Sequence, residues 1–324
     1  MTTFRTAYDG YILSQKARNV SKSYIDLLVL TRDYWLRLNP DGELAGIKTD
    51  VVREWITWLQ GERKVEGVEA PFDGQLSGAS VFVHFRDLRS FFNWCVDEEL
   101  LAASPMRRMK KPKFEEKLPD VLTEAEVRDL LKAVRESGNP QAFRDYTIHL
   151  MFTDCGIRLE ELSSLDLEDI NLEQGYAKVL GKGRKERVVP MGIRLRRELH
   201  RYILRYRRAA TGETALFCND DGFRLERGGV RTMVVRDQKA YVARTLSKYG
   251  PHLERHTSAT IRLRNTGDIQ RTSQILGHRS LETTQRYLHL VHQDLMGDSS
   301  PMDAVLSEKR GKSLQPNVAQ STGG

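Results

Sequence analysis

At 324 residues the chain is long enough for two ordinary domains, each with its own core, so neither disulfides nor a structural metal is needed to hold it together. Hydrophobic residues make up 40% of it and charged residues 29%, a globular composition, and no apolar run approaches the roughly 18 residues that cross a bilayer. With 51 Lys and Arg against 44 Asp and Glu, the formal charge is +7, which favours an anionic partner without deciding which one.

The N-terminal MTTFRTAYDG lacks the apolar core of a secretion signal, so a cytoplasmic location is expected, with Cys95, Cys155 and Cys218 as free thiols in a reducing compartment. The first hundred residues read as helices. In SKSYIDLLVLTRDYWLRL, Tyr24, Leu27, Leu28, Trp35 and Leu38 recur at helical spacing; in ASVFVHFRDLRSFFNWCVDEELL, Val81, Phe85, Leu88, Phe92, Cys95 and Val96 do the same, and TDVVREWITWLQ supplies a third helix. Trp35, Trp55, Trp58 and Trp94 all lie here, as expected of a separate small core. Residues 104–120, SPMRRMKKPKFEEKLPD, read as a linker, either a solvated hinge or a strap along phosphates.

A second domain opens at TEAEVRDLLKAV, where Thr123 and Glu126 form a capping box ahead of Val127, Leu130, Leu131 and Val134. A helix over about 140–154, a turn at Cys155-Gly156 and a short helix follow. AKVLGKGRKERVVPM reads as two strands around a Gly-containing turn, with INL as a candidate third. In IRLRRELHRYILRYRRAA, Leu195, Leu199, Tyr202, Ile203 and Tyr206 form one face and Arg194, Arg197, Arg201, Arg205 and Arg208 another, a stripe more often solvated than bound to phosphate. Helices resume after 228 and run to about 290. The tail beyond 297 is polar, with MDAVLSEK its one helical candidate. The fold class is mainly α with a small antiparallel β-sheet.

PHLERHTSAT gathers His252, Arg255 and His256 within five positions. A zinc reading needs H-E-x-x-H, but here the glutamate comes one place late and Arg255 would set a fixed cation beside a dication. A phosphate suits the cluster better, since a guanidinium fork with an imidazole donor a turn away matches non-bridging oxygens. Residues of the same chemistry stand elsewhere: Arg158 in GIRLEEL, Lys182 in GKGRKER, His278 in LGHRSLETTQRYLHL, and Tyr287 nine residues on. Singly each has a plain structural reading, as surface arginine, loop charge, cap or packed aromatic.

Their order resembles that of the tyrosine recombinases, or phage integrases: G-x-R-x-x-E (Arg158, Glu161), a hairpin lysine (Lys182), H-x-x-R-H, L-G-H (His278) and T-T-x-x-Y (Thr283, Thr284, Tyr287). The resemblance implies a helical core-binding domain (1–103), the basic linker (104–120), an α+β catalytic domain (121–297) and a flexible tail (298–324). It further implies a site-specific recombinase in which Tyr287 attacks a DNA phosphate to form a 3′-phosphotyrosyl link and strands exchange through a four-way Holliday junction. Arg158, Arg255 and His252 would hold the non-bridging oxygens, Lys182 would protonate the leaving 5′ oxygen, His278 would hydrogen-bond the phosphate, and Glu161 would orient the site. No metal, cofactor or ATP is then required. The implied partners are double-stranded DNA with paired sites and three further copies of the chain in a clamp-forming tetramer, with room for accessory DNA-bending proteins. Glu254 departs from the family, which generally has an apolar residue there; an acid so near an anionic substrate is unfavourable unless it points away or pairs with a cation. The alternatives are a non-catalytic DNA-binding regulator and a type IB topoisomerase.

Overall fold

The computed structural model describes residues 2–61, 76–114, 118–181, 186–277 and 280–295, and the chain divides into two compact units, Met1–Lys117 and Leu118–Gly324. The first unit is built on four helices: α1 (Phe4–Ala17), α2 (Lys22–Leu38), α3 (Thr49–Leu59) and α4 (Gly78–Asp97). Thr3, Ser21 and Ser77 cap α1, α2 and α4 with side-chain oxygens that accept the first free N–H groups. The core is aromatic. Trp35 stacks on Phe4 with centroids 4.9 Å apart, Phe91 meets Phe4 edge-on at 5.2 Å, and Trp55, Phe85 and Phe92 close the remaining space. Of the four tryptophans Trp94 is only partly buried, as is Val96.

The stretch read as a linker starts later than its composition suggests. Met106 is buried in the first unit's core, Pro105 accepts a hydrogen bond from the Thr49 hydroxyl at 2.7 Å, and Arg89 donates to the Met106 and Met109 carbonyls. Phe114 packs on Phe82 at 5.5 Å. Two methionines and a phenylalanine, spaced among lysines and arginines, dock this stretch onto the helices of the first unit.

In the second unit the Thr123–Glu126 capping box starts α5 (Glu124–Glu136), with both reciprocal hydrogen bonds formed. Then come α6 (Ala142–Cys155), α7 (Leu159–Ser163) and a three-stranded antiparallel sheet in the order β1 (Ile170–Asn171), β2 (Tyr176–Leu180), β3 (Glu186–Pro190). Register pairs Ala177 with Val189, which puts Ala177, Val179 and Val189 into the core and leaves Leu180 and Val188 outside. After α8 (Ile193–Arg201) the helix widens into a π turn over Tyr202–Tyr206; Arg194, Arg197, Arg205 and Arg208 of the stripe are exposed and Arg201 is half-buried. The remaining helices are α9 (Arg227–Tyr241), α10 (Pro251–Thr266), α11 (Ile269–Leu276) and α12 (Leu281–Leu295). Cys95, Cys155 and Cys218 are free and buried. Among the described residues no helix is long and apolar enough to cross a membrane. MDAVLSEK lies outside the described residues.

Candidate active site

Helix α10 starts at Pro251, whose fixed φ and missing N–H suit the first helical position. From there His252, Arg255 and His256 fall at i, i+3 and i+4 on one face, with Glu254 nearly opposite. Arg255 is almost wholly buried, and donates through Nη1 to the carbonyl of Gly156 and through Nη2 to that of Leu276 at 2.7 Å. Burial, then the neighbouring Arg158 cation, lower its pKa to about 10, so the guanidinium stays charged at neutral pH.

The last turn of α11 collects the cations. A helix ends with carbonyls that no backbone N–H can reach, and here side chains satisfy them: Arg187 Nε donates to Ile275 at 3.1 Å, Arg255 to Leu276, and Arg158 Nη2 to Gly277 at 2.9 Å. Two left-handed glycines allow the approach. A Cβ on Gly277 would stand 2.9 Å from Cζ of Arg187, and one on Gly156 would stand 2.6 Å from Leu276 Cδ2. Glu161 sits among these guanidinium groups. It accepts from Arg187 through both oxygens at 2.6 and 2.8 Å, and from the side chain and backbone N–H of Arg158 at 2.9 and 2.8 Å, the last bond capping α7. Burial alone would raise the Glu161 pKa, but the bonds from Arg187 and Arg158 hold it down to about 2. One carboxylate among three guanidinium groups leaves surplus positive charge, with Arg158 still about one-third exposed at the rim.

Tyr287, on α12, is buried against Ala259, Leu263 and Leu276, and its hydroxyl lies 2.7 Å from Nδ1 of His256. His252 is one turn earlier, its ring centroid 6.3 Å from that of His256. The residue is exposed, yet the partial shielding of its ring and the charge of Arg255 lower its pKa. Thus the structure brings Arg158, Glu161, His252, Arg255 and Tyr287 to one end of the second unit. Lys182 and His278 lie outside the described residues.

Residues 120–294 match the model of the phage integrase family. The chain is 39% identical over 212 residues to a tyrosine recombinase XerC of Thermodesulfovibrio yellowstonii, which covers 63% of this chain and 68% of the relative. It is 30% identical to a tyrosine recombinase XerC of Mycobacterium sp. (strain KMS) over 90% of its own length and 95% of the relative's. The chain belongs to the phage integrase family. Its fold is also similar to that of the XerH site-specific recombinase in a post-cleavage complex with a palindromic difH substrate, with a TM-score of 0.68, 22% identity and coverage of 87% of this chain and 80% of that one. These likenesses do not favour the regulator or topoisomerase alternatives.

Within this integrase-family chain Glu254 resolves both ways that its position demands. It points away from the site, fully buried, and it pairs with a cation: His149 Nδ1 lies 2.7 Å from its Oε1, and Gln238 Nε2 donates to the same oxygen at 2.7 Å. On the other side His149 Nε2 lies 3.2 Å from Asp237. Burial would depress the imidazole, but Glu254 and Asp237 together raise its pKa to about 10. Residues that sequence reasoning missed are Arg187, His149, Asp237 and Gln238, and for His256 it assigned no role. Arg187 left a signal: strand alternation puts it on the same face as the buried Val189, and an inward cation needs a partner.

Proposed function

We propose that the chain is a site-specific DNA recombinase that cuts and rejoins duplex DNA through a 3′-phosphotyrosyl intermediate at Tyr287 and a four-way junction, with neither ATP nor metal consumed. The observation that carries this reading is the convergence of Arg158 and Arg255 on the carbonyl turn Leu276–Gly277, with Tyr287 packed on Leu276 of the same turn. Attack on a phosphodiester builds negative charge on the equatorial oxygens, and fixed guanidinium groups with surplus positive charge stabilise it without reorganising. They fill the part that divalent cations take in many nucleases. Arg158, Arg255 and His252 hold the non-bridging oxygens, and Glu161 with Arg187 fixes Arg158 in direction. Lys182 protonates the leaving 5′ oxygen and His278 hydrogen-bonds the phosphate. The covalent link preserves the ester's energy, so rejoining needs no nucleotide.

Duplex DNA with paired sites and a tetramer of this chain are the partners this chemistry requires. In the first unit Arg53, Arg108 and Lys110 line a recess of about 550 Å³ with Thr57 and Gln60, a surface on which backbone phosphates would sit. The test is covalent trapping on a library of nicked duplexes, followed by sequencing of the captured ends. Tyr287→Phe should bind DNA and form no adduct, and wild-type cleavage should persist in EDTA. A Tyr287→Phe protein that still forms the adduct removes the nucleophile from this reading.

A further inference from the structure

We infer that the arginine ridge of α8 and its π turn is a second DNA-binding face, along which the phosphate backbone of a duplex separate from the one at Tyr287 lies. This second contact is independent of the chemistry at Tyr287. Between Ile193 and Arg208 stand seven arginines and one glutamate, a surplus of six in a chain whose whole formal charge is +7. The excess that favours an anionic partner is concentrated here. Two of the seven serve the fold: Arg196 donates to the carbonyls of Leu172 and Glu173, and Arg207 to those of Glu213 and Ala215. The other five form the ridge. Arg197 and Arg201 share the buried Glu198 at 3.3 Å each, while Arg194, Arg205 and Arg208 are exposed and meet no carboxylate among the described residues.

Stability does not account for the ridge. Arg194, Arg197, Arg201 and Arg205 fall at i, i+3, i+7 and i+11 on one side of the helix, where like charges repel, and Arg194 stands in the first turn, where the helix dipole opposes a cation. Leu195, Leu199 and Tyr202 hold the helix in the core without them. From Arg194 to Arg205 the helix rises about 16 Å, a length over which one strand of a duplex presents about five phosphates, and guanidinium groups match their oxygens. An acidic protein fits less well. Ile193 and Leu204, the apolar side chains most exposed on this face, are also about 16 Å apart and make no continuous patch.

The duplex on the ridge is a separate one because α8 and α10 lie on different flanks of α6. Helix α8 begins where Gly192 N–H donates to Asp154 at 2.8 Å, and its π turn ends where Tyr206 stacks on Phe143 at 4.1 Å. Asp154 and Phe143 stand about 120–140° round α6 from His149, the residue that faces Glu254 of α10. On α10 the side that carries His252, Arg255 and His256 is turned away from Glu254, and so from the flank that carries the ridge.

The experiment saturates the full-length protein with the shortest duplex that supports adduct formation, then measures capture of a labelled, separate duplex of unrelated sequence against salt. Wild type should capture it. Arg194→Gln, Arg205→Gln and Arg208→Gln together should weaken capture by about 10–100-fold and lower the salt slope by about 3, with adduct formation on the short duplex within about twofold of wild type and thermal stability unchanged. Lysine at the same three positions should keep most of the capture, since the charge remains. A glutamine triple variant that captures the second duplex like wild type, on the same salt slope, makes the ridge a solvated face and overturns the proposal. Ridge-dependent binding of polyglutamate without capture of duplex assigns the face to an acidic protein and overturns it as well. So does a gain in affinity confined to the first duplex when its flanks are lengthened, with no capture of a separate one. Tyr287→Phe protein gives the same capture readout without chemistry, so failure of the nucleophile assignment is read apart from failure of the ridge.

Discussion

The two units each bury a histidine, and their protons go opposite ways. His84, in the first unit, sits edge-on to Tyr34 at 5.1 Å with Nδ1 2.8 Å from the Thr31 hydroxyl, and burial pushes its pKa down to about 4. His149, in the second, is clasped by Glu254 and Asp237 and remains charged. The first unit is held mainly by aromatic area, with Asp87, bonded by Arg86, as its buried acid among the described residues. The second must keep guanidinium groups out of water and in place, because a buried cation facing a developing anion is worth far more than a hydrated one. Its interior therefore holds guanidinium groups met by carbonyls and carboxylates, as Arg255 and Arg187 show.

The contrast predicts that chemistry and stability separate by unit. Arg255→Lys should lower the rate of adduct formation by about 10²–10³, since an ammonium cannot span the Gly156 and Leu276 carbonyls as the fork does, while thermal stability changes much less. Trp35→Ala, which empties a stacked and fully buried position, should cost about 3–5 kcal/mol of stability and leave the reaction rate of the folded fraction as it was. Denaturant melts paired with single-turnover cleavage check both. Equal losses of rate and stability in either variant would break the comparison.

Much of this architecture was legible in advance, and the illegible part has one cause. Apolar periodicity marks α2, α3 and α4, and Thr123 with Glu126 marks the start of α5, because those signals are local. The order of Arg158, Glu161, Arg255 and Tyr287 along the chain pointed to one site, but the turn on which the arginines meet did not, since carbonyls of Ile275, Leu276 and Gly277 carry no side-chain signature. His149 lies in the middle of α6, whose side chains are buried nearly all round, so no polar stripe flags its partners 88 and 105 residues away. Met106 was lost in the opposite way, as one apolar residue inside a run of charge.

The two histidines also give the molecule two pH limbs. His84 has its pKa lowered by folding, so its stabilising effect is full above the unfolded value and is lost as pH falls from about 6.5 toward 4, on the order of 3 kcal/mol. His149 has its pKa raised, so its contribution is full below about 6.5 and is lost as pH climbs toward 10. Thermal melts against pH should show acid between about 6.5 and 4 loosening the first unit, ahead of the loss of the Glu161 bonds in the second at lower pH, and alkali loosening the second. His84→Gln should flatten the acid limb alone; a variant whose alkaline limb flattens as well would mean the two units do not titrate separately.

The smallest effect expected is the most telling about Glu254. A buried ion pair repays its desolvation only when every lone pair is met, and Glu254 Oε2 has no hydrogen-bond partner among the described residues. Removing both charges together leaves the rest provided for: Asp237 keeps Arg236 at 2.8 Å, and Gln238 keeps both the N–H and the carbonyl of Gly250. His149→Leu with Glu254→Leu should thus match the wild type within about 1 kcal/mol or exceed it, lose the alkaline limb, and still cleave, because Arg255 is held by carbonyls and not by Glu254. Glu254→Leu alone keeps a charged His149 on Asp237, whereas His149→Leu alone strands a buried carboxylate and should be the least stable of the three. If the double variant folds well and yet cleaves slowly, the acid–imidazolium–acid bridge sets the rotation of α10. The departure from an apolar residue before Arg255 would then be part of how this chain aims its cations, and not a neutral substitution absorbed by the core.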